Sequence, residues 1–181
     1  GTGRTKEEWA RSVESLKEAC HSAANSGITF GLEPANRFET YFLNIAADAV
    51  KLAKDVNEPN IGVHLDTFHM NIEEKNFYDP ILTTGELLCY MHCCENDRGI
   101  AGTGHIDWDG VFKALYDIHY DKWITLESFT PDIKSVAAST AIWRQVAPSA
   151  DVIASQGLEF LKSMWEFTST QDASTSWPGS A

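Results

Sequence analysis

Basic residues are scarce in this sequence. Its 181 residues contain 14 lysines and arginines against 26 aspartates and glutamates, so the formal net charge is −12 at pH 7. An acidic surface repels nucleic acids and anionic membranes, and we therefore expect neither as a partner. A small neutral substrate is easier for such a surface to accept.

Cysteine is also rare, and long apolar runs are missing. The four cysteines, Cys20, Cys89, Cys93 and Cys94, show no CxxC pair, which argues against a cysteine metal site or a disulfide framework. No apolar run approaches the length that crosses a bilayer, and the opening GTGRTKEEWARS has the features of neither a signal sequence nor a transit peptide. We expect reduced thiols and a cytoplasmic location.

The overall composition is that of one globular domain. Hydrophobic residues make up 43% of the chain and aromatic residues 11%, which is enough for one sizeable core. We expect a single α/β domain of half-barrel type over residues 1–168. Residues 169–181 are small and polar, and we expect them to form a disordered tail.

Helical and strand patterns alternate along the chain. Amphipathic periodicity predicts helices over residues 5–26, 45–57 and 108–120, with Asn44 as the N-cap of the second, and two further helical pieces separated by Pro148. Strands are predicted at ITFGLE, NIGVHLD, LLCYMHCCE and WITLESF. Residues 67–81 are predicted to be irregular, with a helical turn near residues 83–86. The alternation predicts a parallel sheet whose strands end at one edge.

The stretch GVHLDTFHMN places an acid at the end of an apolar, β-branched strand. Unpaired, the carboxylate of Asp66 would be costly to bury, so we expect it to be hydrogen-bonded, salt-bridged or bound to a metal. A cap on the following turn is the simpler alternative for this residue alone.

Each predicted strand carries a possible metal ligand at or near its end. These residues are Glu33, Asp66, His92 and Glu127, separated by 33, 26 and 35 residues, and each interval is about one βα unit of roughly thirty residues. Three carboxylates and one imidazole suit Mn²⁺ or Mg²⁺ better than structural Zn²⁺. The alternative is four independent structural roles, in which His92 would be a core histidine.

Three further polar side chains are expected on the same edge. Glu39 follows Glu33 by six residues, His69 follows Asp66 by three, and Arg98 follows His92 by six. Each could be a charge on a solvated loop. Together they predict a polar pocket beside the metal.

The motifs LEPANRFETYFLN, GVHLDTFHMNIEE, ENDRG, GTGHIDWDGVFKAL and ITLESF resemble the D-tagatose and D-psicose (allulose) 3-epimerases. That family belongs to the sugar phosphate isomerase/epimerase TIM-barrel superfamily. The resemblance runs in order over residues 28–129. It implies Mn²⁺, or Mg²⁺ or Co²⁺, on Glu33, Asp66, His92 and Glu127. It also implies that Glu39, His69 and Arg98 contact a ketose near O1 and O2.

A complete (β/α)₈ barrel needs about 250 residues, so the resemblance implies only the last four βα units. The chain could be a fragment, a half-barrel completed by a second copy, or an open sheet covered by another element. Family members commonly dimerise, so we expect a homo-oligomer.

The expected reaction is C3 epimerisation of a free ketohexose through an enediolate. Glu33 and Glu127 come from the first and last strands, so we predict that they approach the substrate from opposite sides as general acid and base. A neutral to mildly alkaline optimum is expected. An aldose–ketose isomerase, a sugar dehydratase and a catalytically incompetent metal-binding half-barrel are the alternatives, whereas the net charge disfavours a nuclease.

Overall fold

The computed structural model describes the backbone of residues 3–175 and the side chains of residues 3–170. The helices are α1 (Lys6–Ser22), α2 (Ala46–Val56), α3 (Thr67–Glu73), α4 (Tyr78–Thr84), α5 (Trp108–Asp117), α6 (Lys134–Ser139) and α7 (Ala150–Thr175). The strands are β1 (Phe30–Leu32), β2 (Ile61–Asp66), β3 (Leu88–His92) and β4 (Ile124–Thr125), with a short 3₁₀ helix at Gly85–Leu87. The predicted α/β class is confirmed.

The four strands form one parallel sheet in the order β1-β2-β3-β4. The register pairs Asp66 with His92 and His92 with Thr125, so β2, β3 and β4 end at the same level, whereas β1 ends at Leu32, opposite Val63. All four strands are shorter than predicted, and Glu33 and Glu127 lie just beyond β1 and β4. The carboxyl ends nevertheless meet at one edge, as expected for parallel βα units.

The side chains of β2 alternate between the hydrophobic core and the opposite face of the sheet. Successive strand residues point to opposite faces. Val63 and Leu65 are buried in the hydrophobic core, whereas His64 and Asp66 alternate with them. On that second face the rings of His64 and His92 lie 4.2 Å apart, at 90° to one another.

The helices pack side by side against the sheet. Helix α2 contacts β2 and α4, α4 contacts α5, and α5 contacts α7. Their apolar faces join the sheet in one core, whose fully buried members include Val56, Ile81, Phe112 and Leu115. Burial of this continuous apolar surface holds the strand ends in place.

The predicted N-cap of α2 is wrong. Ile45, not Asn44, is the N-cap residue, and the carboxylate of Glu74 accepts a hydrogen bond from the Ala46 N–H at 2.8 Å. A distant carboxylate thus satisfies the helix terminus. The Asn44 amide instead donates to the carbonyl oxygens of Ala35 and Thr40, and so closes the loop between β1 and α2.

The segment predicted to be irregular is also helical. Residues 67–81 contain α3 and most of α4, and the turn expected near residues 83–86 covers the end of α4 and the start of the 3₁₀ helix. Helices α3 and α4 have seven residues each. Such short helices show too few turns for apolar periodicity to reveal them.

The expected domain end at residue 168 falls inside α7, which continues to Thr175. Residues 176–181 of the expected tail lie outside the described residues. The four cysteines are free thiols, as expected. Within residues 3–175, no helix is long and apolar enough to cross a membrane.

Candidate metal centre and substrate site

The four strand-end residues predicted as ligands meet at one point. One ligand atom from each of Glu33, Asp66, His92 and Glu127 lies within 4.8 Å of the others. Neighbouring ligands about 2.1 Å from one ion are about 3 to 3.5 Å apart, and opposite ligands about 4.2 Å. The spacing of the cluster therefore fits a shared divalent cation.

The imidazole of His92 is the clearest indication of a ligand role. Its Nδ1 lies 3.5 Å from Glu127 Oε2 and 3.7 Å from Asp66 Oδ2. This atom is buried and has no hydrogen-bond partner among the described residues. A buried polar atom without a partner is costly. An ion held between Nδ1 and the two carboxylates would remove that cost.

One arginine balances part of the negative charge. Arg98 Nη1 donates to Asp66 Oδ2 at 2.8 Å and also contacts Glu127 Oε2. Among the described residues no arginine pairs with Glu33, although His64 and His69 each have a ring nitrogen 3.8 Å from it. Three carboxylates against one guanidinium leave the cluster attractive to a divalent cation.

The pKa values reflect this concentration of charge. Burial raises the pKa of Glu33 to about 7, and the charges of Asp66 and Glu127 act in the same direction. Burial opposes ionisation of Asp66 as well, but the neighbouring His92 and Arg98 prevail and lower its pKa. Burial lowers the proton affinity of His92, yet the carboxylates of Asp66 and Glu127 raise its pKa to about 10. A bound cation would add positive charge beside the carboxylates of Glu33 and Asp66, and it would take the place of the proton on His92.

Asp66 also caps a helix, so the two alternatives considered for it are compatible. Its Oδ1 accepts from the Phe68 N–H at 2.7 Å at the start of α3, and Cys94 Sγ lies 3.3 Å away. Its Oδ2 faces His92 and Arg98. One oxygen therefore fixes the carboxylate to the backbone while the other points into the cluster.

The three residues predicted to surround a sugar lie next to the cluster, with different exposure. His69 and Arg98 are buried, so solvated-loop roles are excluded for them. Burial lowers the pKa of His69, and the guanidinium of Arg98 lies 4.2 Å from the centre of the Phe68 ring. Glu39 Oε1 is 4.0 Å from His69 Nδ1, but its side chain is 56% exposed.

Two further residues of the site were not predicted from the sequence, because their neighbours come from distant segments. His64 forms a second ligand group with Glu33 and His92, and burial lowers its pKa to about 4. Its position two residues before Asp66, on the same face of β2, was the available signal. Buried Asn36 donates to Glu39 Oε1 at 2.8 Å and lies 2.9 Å from His69 Nδ1.

A third missed residue, Glu95, organises the loop that carries Arg98. Its carboxylate accepts from the backbone N–H groups of Gly102 and Ile106 and from Trp108 Nε1. Its own carbonyl oxygen accepts from the Arg98 N–H. Arg98 has a φ of 65°, a left-handed conformation that few non-glycine residues adopt. The loop contacts hold it there.

Fold and site together define a class of protein. It is a parallel β/α protein of barrel type, with a carboxylate-rich group competent to hold a divalent metal at the carboxyl ends of its strands. Active sites of (β/α)₈ barrels occupy this edge.

Comparison with known proteins identifies the family. Residues 1–164 match the xylose isomerase-like TIM barrel family, and the chain belongs to it. The chain is 37% identical over 161 residues to a probable ketose 3-epimerase of Synechocystis sp.. The alignment covers 89% of this chain and 56% of that protein. It is 40% identical over 146 residues to a D-psicose 3-epimerase of Ruminiclostridium cellulolyticum, covering 81% of this chain and 50% of that protein.

Solved structures agree with these matches. A structure of L-ribulose 3-epimerase aligns with a TM-score of 0.93 at 33% identity, covering 100% of this chain and 62% of that one. The resemblance to ketose 3-epimerases is confirmed. The chain spans about half the length of the curated relatives it matches, which fits the predicted partial barrel.

Proposed function

We propose that this chain carries the metal and substrate site of a ketose 3-epimerase, which interconverts free ketohexoses such as D-fructose and D-psicose. The observation that carries the proposal is the convergence of Glu33, Asp66, His92 and Glu127 at the carboxyl edge of the sheet. The related epimerases described above support the reaction type.

The proposed metal is Mn²⁺, with Mg²⁺ or Co²⁺ as substitutes. An oxygen-rich set with one imidazole is the ligand chemistry these ions share, and the unpartnered Nδ1 of His92 supports occupancy. Bound there, the ion would supply positive charge beside the vicinal oxygens of a ketose.

Inversion at C3 requires removal of a proton and delivery of a proton to the opposite face. Glu33 and Glu127 follow β1 and β4, the two edges of the described sheet. We assign them as the acid–base pair: one takes the C3 proton, giving an enediolate, and the other returns a proton from the far side. Asp66 and His92 are assigned as ligands that take no part in proton transfer.

Three side chains are proposed to bind the sugar near O1 and O2. Arg98 and His69 are buried beside the cluster, with 3.4 Å between Arg98 Nη2 and His69 Nε2. Their N–H groups can stabilise negative charge on an enediolate oxygen. Glu39, which is held by the Asn36 amide, can accept a hydroxyl hydrogen bond at the exposed side.

Turnover of D-fructose in D₂O with Mn²⁺ tests the reaction. A 3-epimerase yields D-psicose with solvent deuterium at C3, whereas an aldose–ketose isomerase yields an aldose and a dehydratase yields a dehydrated product. Metal-loaded chain that binds Mn²⁺ but yields none of these products would favour the incompetent half-barrel.

Substitution of one proposed acid–base residue separates chemistry from metal binding. Glu127→Gln removes a proton-transfer group but keeps a ligand oxygen, so we expect turnover to disappear while weakened Mn²⁺ binding persists. Glu159→Gln, on an exposed part of α7, is the matched control and should keep full activity. Unchanged epimerisation in Glu127→Gln would remove this residue from the pair.

The proposal also includes a homo-oligomer and a reducing compartment. Strands β1 and β4 form the edges of the described sheet, and edges of this kind favour pairing with another chain. A monomeric mass in light scattering would contradict association. The four free cysteines support the cytoplasm, and recovery of the protein from an oxidising compartment in cell fractionation would contradict it.

A further inference from the structure

Asn36 lies in the loop between β1 and α2, and it is 2% exposed. Its side chain contacts both residues proposed to bind sugar on this side of the site. Nδ2 donates to Glu39 Oε1 at 2.8 Å and lies 2.9 Å from His69 Nδ1. The backbone N–H of the same residue donates to His69 Nδ1 at 3.2 Å.

The neighbours of the Asn36 amide fix its orientation. The backbone N–H of Phe38 can only donate, and it lies 3.0 Å from Oδ1, so the amide oxygen faces Phe38. The ionised carboxylate of Glu39 can only accept, so the NH₂ group faces Glu39. That same NH₂ group then donates its second hydrogen towards His69 Nδ1.

Two donors directed at one ring nitrogen determine where the imidazole proton is. His69 Nδ1 faces the backbone N–H and the side-chain NH₂ of Asn36. Both donors must share the single lone pair of an unprotonated Nδ1, so the proton of the neutral ring is on Nε2. The Nε2–H then faces the cluster, where Glu33 Oε1 lies 3.8 Å away.

Arg98 approaches the same ring nitrogen. Its Nη2 lies 3.4 Å from His69 Nε2, which is longer than the 2.9 and 3.2 Å contacts at Nδ1. A guanidinium can only donate. A hydrogen bond from Arg98 to Nε2 would require the Nδ1–H tautomer. The two shorter contacts at Nδ1 outweigh it, so we infer that the proton is on Nε2 and that the two groups are neighbouring donors. Two such donors are suited to one shared acceptor oxygen.

We propose that Asn36 is a positioning residue that fixes His69 as the Nε2–H tautomer, so that His69 and Arg98 present two N–H donors to one ligand oxygen. We identify that oxygen as the ketose carbonyl oxygen, which becomes an enediolate oxygen during the reaction. This identification rests on the proposed function. The tautomer assignment rests on the contacts of Asn36 and does not require the proposed function.

Nitrogen NMR of the full chain, labelled with ¹⁵N at histidine and loaded with diamagnetic Mg²⁺, reports the tautomer directly. His69→Gln assigns the signals. We expect His69 to show an unprotonated Nδ1 and a protonated Nε2. A protonated Nδ1 in the wild-type protein would overturn the proposal whether or not the chain is an epimerase.

Asn36→Asp replaces the side-chain donor at Nδ1 with an acceptor while the backbone N–H of residue 36 stays in place. We therefore expect the population of the Nδ1–H form to rise in the same spectra. Asn44→Ala is the matched control. Among the residues that the structure describes, the Asn44 side chain bonds only to backbone carbonyls of the same loop, so its loss should leave the His69 tautomer unchanged. A tautomer change of equal size in Asn44→Ala would assign the effect to loop disorder.

Kinetics supply the functional readout. In Asn36→Asp we expect kcat to fall on the order of ten- to a hundredfold with little change in KM, because the lost donor acts mainly on charge that develops during the reaction. An equal loss in Asn44→Ala, or no loss in Asn36→Asp, would contradict the positioning role. If wild-type chain shows the Nε2–H tautomer but no turnover, the proposed function fails while the assignment of Asn36 stands.

Discussion

The guanidinium of Arg98 donates to the carboxylate of Asp66 at 2.8 Å. It also contacts Glu127, and it stacks over the ring of Phe68. Two of the proposed metal ligands therefore hold the arginine that is proposed to bind the sugar. The proposed metal and substrate sites therefore share carboxylate oxygens of Asp66 and Glu127, so changes at one should be felt at the other.

Replacement of Arg98 by lysine tests the geometry of this contact. A lysine keeps the positive charge but lacks the planar guanidinium that reaches the carboxylates of Asp66 and Glu127 and, in the proposed function, a sugar oxygen. We expect Arg98→Lys to lose about ten- to a thousandfold in kcat while Mn²⁺ binding is retained. Full turnover would show that the site needs only a charge there.

Substitution of Glu95 tests the loop that carries Arg98. Glu95 is 1% exposed, and its carboxylate accepts four hydrogen bonds, from Asn96, Gly102, Ile106 and Trp108. We expect Glu95→Gln to lower the free energy of unfolding by about 1 to 3 kcal/mol at pH 7, as measured by urea titration. Glu14→Gln, on the exposed side of α1, is the control and should have no effect.

The effect of Glu95 should depend on pH. Burial alone would raise its pKa, but the hydrogen bonds from Ile106, Asn96, Trp108 and Gly102 prevail, and the pKa lies below its ordinary value of 4.5. A carboxylate with a lowered folded-state pKa stabilises fully above pH 4.5 and loses that contribution as the pH falls through the folded pKa. The difference between wild type and Glu95→Gln should therefore shrink on acidification. A difference that is constant with pH would contradict an ionised role.

Gly102 tests the packing of the same loop on α7. Its φ is 89°, and a Cβ at this position would lie 2.5 Å from the Phe160 ring. We expect Gly102→Ala to destabilise the protein by about 1 to 3 kcal/mol, since both the backbone and the ring must shift. Gly3→Ala, where a Cβ meets nothing within 4 Å, should be neutral. Equal stability of the two variants would show that the loop can rearrange at no cost in free energy.

The parts of the site that could be predicted from sequence are those tied to strand ends. Glu33, Asp66 and His92 follow apolar strands at βα intervals, and parallel strands bring such positions to one edge. Asn36 and Glu95 carry no such signal, because each acts through contacts that only the folded loops create. Asn44 illustrates the same limit, since Glu74 takes the capping role predicted for it.

The most direct test of the central claim is calorimetric titration of EDTA-treated chain with Mn²⁺. Saturation at one ion per chain is expected, with affinity lost by at least about a hundredfold in Asp66→Ala and unchanged in the control His105→Ala, an exposed loop histidine. No saturable binding, or equal affinity in wild type and Asp66→Ala, would contradict a cation shared by the four strand-end side chains.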